Sequence, residues 1–208
     1  MKRMSIARWV LSLILLAGLI AQPVRALDYP LSSEGIREAY FLGSGDPDKL
    51  AFFIEKYTKR YPIPKSGAYV ALIQFETPYL LVAERISQNV SGYHAPDAVQ
   101  EFLGKPAVCR IHVEVYWGYN AAPSATGLNT HYATDYTVRV KQNDREVPLK
   151  SKWTQSLYSI SSSPVEIGIA FNNEYDADKI DSDADAVVEI LTPDGNTIAE
   201  TFDLGSLR

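Results

Sequence analysis

The chain has a single cysteine, Cys109, among 208 residues. No intramolecular disulfide can form, so the fold must rest on burial and hydrogen bonding alone. Histidine is nearly as scarce: His94, His112 and His131 are the only three. None of them falls in an H-x-x-x-H or H-E-x-x-H spacing, which leaves zinc without a local ligand set. The serine elbow G-x-S-x-G is absent, and Gly43-Ser44-Gly45 and Ser66-Gly67 have turn compositions. There is no repeat and no low-complexity tract. Beyond residue 26 no stretch is long and apolar enough to cross a bilayer as a helix, which takes roughly 20 residues.

The one long apolar run lies at the start. Lys2, Arg3 and Arg8 surround its positive beginning, Val10 to Ala21 form it, and Pro23 ends it. Val24 and Ala26 then occupy the −3 and −1 positions of a signal-peptidase site. The expectation is a signal peptide over residues 1–26, cleaved to leave Leu27 first, and a chain working in the periplasm or outside the cell. An uncleaved N-terminal anchor is the other reading of these residues. No cysteine near the cleavage point could carry a lipid.

Charge of one sign is in short supply once that segment is set aside. The whole chain has 20 Lys and Arg against 25 Asp and Glu. Residues 1–26 hold four of the basic residues (Lys2, Arg3, Arg8, Arg25) and no acidic one, so residues 27–208 carry 16 against 25, a net charge of −9. Bulk charge of that sign does not draw a chain to nucleic acid or anionic lipid. Neither a nucleic-acid partner nor a transmembrane segment is expected.

Helix signals come first. Ser32-Ser33-Glu34 and Asp46-Pro47-Asp48 are capped starts, the second continued by Leu50, Phe53, Ile54 and Tyr57 at helical spacing, with Lys56, Lys59 and Arg60 toward its end. Tyr69 to Phe75 is apolar on both faces and predicts a covered strand. Thr77-Pro78 opens a helix predicted over 79–91, with a strand from Leu80 to Ala83 as the alternative. Ala95-Pro96-Asp97 begins a short helix ended by Gly104 and Pro106.

From residue 108 the period becomes two. Cys109, Ile111, Val113, Val115 and Trp117 alternate with Arg110, His112, Glu114 and Tyr116. Further strands are predicted around Tyr136–Val140, Glu146–Leu149, Trp153–Ile160, Val165–Phe171, Ala186–Thr192 and Thr197–Phe202. Gln142-Asn143-Asp144 and Pro193-Asp194-Gly195-Asn196 mark turns between them. The predicted class is α+β: a β-sandwich of about seven strands preceded by three or four helices. A boundary near Lys105-Pro106 would split a helical part (27–106) from a sandwich part (107–208). The strand at 69–75 needs partners, however, and the C-terminal sheet offers them, so one exported domain over 27–208 is preferred.

Several residue sets carry candidate chemistry. His112 and Glu114 share the outward face of one strand with Tyr116, and Tyr119 and Tyr132 border the polar loop 118–131. Exposed strand aromatics offer flat platforms to sugars or peptides, so these five are the candidate ligand-binding residues. Core packing is the other reading of such aromatics. Asp176, Asp178, Asp181, Asp183 and Asp185 form a weak calcium candidate, the only cofactor the sequence suggests. The EF-hand template fails, since Ala186 stands where Gly is needed and Thr192 where Glu is needed. A solvated acidic loop with Tyr175 and Ile180 tucked down explains the same residues. Cys109 falls on the inward face and reads as a small core hydrophobe.

The run Tyr29 to Gly43 resembles the mature N-terminus of exported proteins of unknown function from soil bacteria. Lys65 to Val70 and Leu191 to Gly195 are similar to them as well. The resemblance implies an envelope or secreted setting and carries no activity. The functional expectation is a non-enzymatic binding or interaction module of the bacterial envelope, with an envelope protein or glycan as partner. A polysaccharide-directed hydrolase using paired carboxylates is the alternative.

Overall fold

The first helices start where the sequence supplies caps. The computed structural model describes residues 29–88, 92–117 and 135–207. Helix α1 (Ser33–Gly43) begins after Ser32, whose Oγ accepts the Gly35 N–H at 3.0 Å. In α2 (Pro47–Glu55) the Asp46 carboxylate accepts the Asp48 N–H at 3.0 Å. In α3 (Pro78–Ser87) Thr77 accepts the Leu80 N–H at 3.3 Å. A cap of this kind contributes about 1 kcal/mol. Helix α4 spans Ala95–Phe102. The strand alternative at Leu80–Ala83 is excluded, and residues 89–91 of the predicted helix lie outside the described residues.

Helix α2 ends earlier than its spacing predicts. Lys59 and Arg60 belong to strand β1 (Thr58–Arg60), not to a helix terminus. Tyr57 is fully buried and its carbonyl accepts the Phe75 N–H at 2.9 Å, so the neighbouring strand captures the chain before another helical turn can form. The helices keep their own core of Ile36, Ala39, Leu50, Val82, Ala83 and Ile86. At its edge Gly43 sits so close to α3 that a Cβ would lie 2.1 Å from the Ala83 carbonyl oxygen.

All strand pairing is antiparallel. One sheet has the order β1-β2-β3-β7-β6, with β2 at Tyr69–Glu76, β3 at Val108–Tyr116, β6 at Leu149–Tyr158 and β7 at Glu166–Asp176. The second has the order β5-β4-β8-β9, with β4 at Thr137–Gln142, β5 at Arg145–Glu146, β8 at Ala186–Leu191 and β9 at Thr197–Phe202. The covered strand at 69–75 does join the C-terminal strands, through β3. Asn143 and Asp144 turn β4 into β5 with φ of 49° and 61°, the left-handed pair that a tight hairpin requires.

The fold is mixed α+β with the helices first. A single apolar cluster draws Ile73, Phe75, Ile111 and Val113 from the larger sheet and Val140, Val188, Ile190 and Phe202 from the smaller. Cys109 is fully buried in this cluster, and burial pushes its thiol pKa up. The opposite face of the larger sheet carries the even-numbered polar side chains of β3.

Candidate functional site

Strand β3 puts its odd-numbered residues into the core, so Arg110, His112, Glu114 and Tyr116 project from the outer face. Register then fixes their neighbours. Gln74, His112, Asn172 and Trp153 form one row across four strands. Leu72, Glu114, Ala170 and Gln155 form the next.

These side chains bond to one another in a line. Nδ1 of His112 lies 2.8 Å from Asn172 Oδ1, and its Nε2 lies 3.4 Å from Glu114 Oε1. The Tyr116 hydroxyl donates to the other oxygen of Glu114 at 3.0 Å. Both ring nitrogens of His112 therefore face acceptors, which favours the doubly protonated imidazolium. Burial works against that charge, yet the hydrogen bonds to Glu114 and Asn172 and the nearby Glu76 outweigh it and hold the imidazole above its ordinary value. The His112 bond in turn pulls the Glu114 carboxyl below its ordinary value, against burial. Burial and the Glu114 charge push the Tyr116 phenol up to about 12.

Aromatic rings flank the line. Tyr69 stacks on Tyr116 with centroids 6.2 Å apart and planes 29° apart. Trp153 stands on the far side, 41% exposed, with the Arg110 guanidinium 5.9 Å from its ring centroid. The side chains of His112 and Glu114 keep 21% and 20% of their surface open. Both therefore stay in contact with water.

A second cluster adjoins the first, and sequence reading missed it. Arg110 Nε donates to Glu76, and its guanidinium lies 3.5 Å from Glu84 on α3. The Gln74 amide donates to Glu76 at 3.2 Å and to Glu84 at 3.3 Å. Two carboxylates thus share one guanidinium. Burial raises Glu76 against the pull of Arg110. Burial and the Glu76 charge push Glu84 up to about 7. Only the helix start at Thr77-Pro78, directly after Glu76, could have hinted that α3 would bring Glu84 back over the strand.

The other predicted residues are scattered. Tyr119, Tyr132 and His131 lie outside the described residues. His94 precedes α4, where its N–H donates to Asp97 at 2.9 Å. In the acidic segment Asp176 pairs with Lys150 at 2.7 Å and Asp178 with Lys179 at 3.4 Å, while Asp181 accepts the Asp183 N–H at 2.9 Å. Tyr175 and Ile180 are buried beneath it. Gln142 anchors the segment: its amide donates to the carbonyls of Asp181 and Ala184 at 2.8 and 3.1 Å and accepts the Asp181 N–H at 2.8 Å. Among the described residues no three His, Cys, Asp or Glu side chains converge as a metal site would need. Nor is any described helix long and apolar enough to cross a membrane.

No protein-family model, curated protein or solved structure matches this chain. The chemistry of the outer face has to be read from its own groups. It presents a cation, an anion, an amide and a phenol within one hydrogen-bonded line, bordered by aromatic planes. Such a surface can donate and accept hydrogen bonds side by side while an apolar ring face lies against it.

Proposed function

We propose that this chain is exported and acts outside the cytoplasm as a non-enzymatic binding module, recognising an envelope glycan through the outer face of its larger sheet. The observation that carries the reading is the line Asn172–His112–Glu114–Tyr116 set between the Tyr69–Tyr116 stack and Trp153. A sugar ring offers hydroxyls at its edge and an apolar face, and this surface offers the complement of both. The apolar core common to both sheets supports a sandwich architecture, with His112, Glu114, Tyr116 and Trp153 partly open on the outer face beside the part that α3 covers. The signal-like residues 1–26 support export.

The test is a glycan array probed with the protein and with Tyr116→Ala. The reading expects selective binding by the native protein and loss of signal, roughly tenfold or more, in the variant. An array on which the native protein selects nothing would sink it. N-terminal sequencing of protein recovered outside the cytoplasm should begin at Leu27.

One observation favours a second reading. Glu84 is pushed up to about 7 while Glu114 is pulled down, and a split in carboxyl pKa of this kind is what glycoside hydrolysis asks of its acid and base. Glu84, however, is already engaged by Arg110 and Gln74, which makes it a support of the fold first. Reducing-sugar release from a bound polysaccharide, abolished in both Glu84→Gln and Glu114→Gln, would establish the enzyme.

A further inference from the structure

Strand β6 is the last strand of its sheet and pairs with β7 alone among the described residues. It is ten residues long and exposed over most of that length. Among the described residues no strand pairs with its outer backbone groups, which extend about 33 Å at about 3.3 Å per residue.

A cleft of about 700 Å³ runs beside β6, between the two sheets. The chain passes from β5 to β6 through Val147 and Pro148, so these sheets meet at one end of the cleft. Val138, Val147, Ile169 and Phe171 give it an apolar lining. That size and character suit a row of buried side chains from a ligand.

The strand on the other side of the cleft already has two of its carbonyls engaged. On β4 the Val140 carbonyl accepts the Val147 N–H at 2.8 Å, and the Val138 carbonyl accepts the Asn173 side-chain amide at 3.3 Å. Asn173 is buried and reaches the Val138 carbonyl from β7 of the opposite sheet. It stands in for a missing neighbour strand. Along the cleft, β6 has no second strand partner among the described residues.

Charge narrows the occupant. Arg139 and Lys152 line the cleft, and among the described residues neither is in an ion pair, whereas Lys150 is held by Asp176. Glu146 is the one acidic residue among the lining. Lysines along an edge strand also oppose its pairing with a second copy of itself.

We propose that β6 accepts an extended segment of a different protein as an added strand. Alternate apolar side chains of that segment fill the cleft, and its acidic residues face Lys152 and Arg139. Main-chain hydrogen bonds to β6 supply the affinity, and the cleft supplies the selection.

The probe is a fluorescein-labelled synthetic peptide of about β6's length in which valine alternates with glutamate and threonine. A peptide of the same composition with its valines in one block is the control. Anisotropy should rise with the alternating peptide only. Hydrogen exchange over residues 149–158 should slow on binding, and Lys152→Glu should weaken binding by about tenfold. The proposal is overturned if the alternating peptide binds no better than the control, or if it binds without protecting 149–158. Unchanged affinity in Lys152→Glu overturns it as well. Protection of β6 without peptide, together with a doubled mass in solution, would make a second copy the occupant and also overturn it.

Discussion

Single residues settle how closely the layers approach. Gly43 lets the end of α1 rest on the α3 backbone, where any Cβ would lie 2.1 Å from the Ala83 carbonyl oxygen. Gly168 does the same between strands, since its Cβ would meet the Val115 carbonyl oxygen at 2.3 Å. Gly43→Ala must therefore push α1 off α3, and overpacking of that kind costs about 1–3 kcal/mol. Chemical denaturation should show a lower midpoint with an unchanged slope; a midpoint equal to the native one would mean that the helices do not meet so closely. Tyr116 is the opposite case. It is half-buried at the margin of the outer face, so Tyr116→Ala should spare stability far more than it spares ligand binding. The residue-level reading of β3 was open to the sequence, because strict alternation from Cys109 to Trp117 assigns each side chain to a face. That Gly43 meets Ala83 was not, since it depends on how two helices cross.

At the level of elements, α3 is tied to β2 and β3 by polar groups. Gln74, Glu76, Glu84 and Arg110 make that tie, with His112 close by. The tie has a pH signature. Glu84 holds its proton up to about pH 7 in the folded chain but releases it near 4.5 when unfolded, so stability falls as pH climbs through that window. His112, raised above 6.5, adds stability that is complete below 6.5 and is lost as pH rises through its folded value. Glu114 runs the other way: its contribution is present above 4.5 and is lost as pH falls through its lowered value. Thermal melts should show highest stability near pH 4.5, with a decline as pH rises from there to about 7 and a further loss as His112 gives up its proton. Glu84→Gln should flatten much of that decline; a variant with the native pH profile would show that Glu84 does not titrate there. Caps and periodicity made α1, α2 and α3 legible in the sequence, and their starts at Ser32, Asp46 and Thr77 follow from local hydrogen bonds. The tie was not legible, because its members come from three separate elements.

The molecule as a whole rests on two apolar cores, one among the helices and one between the sheets, without a covalent cross-link. Cys109 is fully buried. A thiol reagent should leave it unmodified until the protein unfolds, and melting temperature should be equal with and without reductant; rapid native labelling would contradict its place in the core. Composition foretold this dependence on burial, and the shift of period at residue 108 foretold helices before strands. The exposed edge of β6 was hidden for a physical reason. Its residues Leu149 to Tyr158 have an ordinary strand composition, and only the order of strands shows that β7 is its one strand neighbour among the described residues.

The proposed recognition face is tested most directly by amide and side-chain NMR shifts of the protein titrated with the glycan that an array selects. The account predicts shifts concentrated at His112, Glu114, Tyr116, Tyr69 and Trp153, saturating together. Shifts confined to the opposite side of the molecule, around Val188 and Thr201, would contradict it.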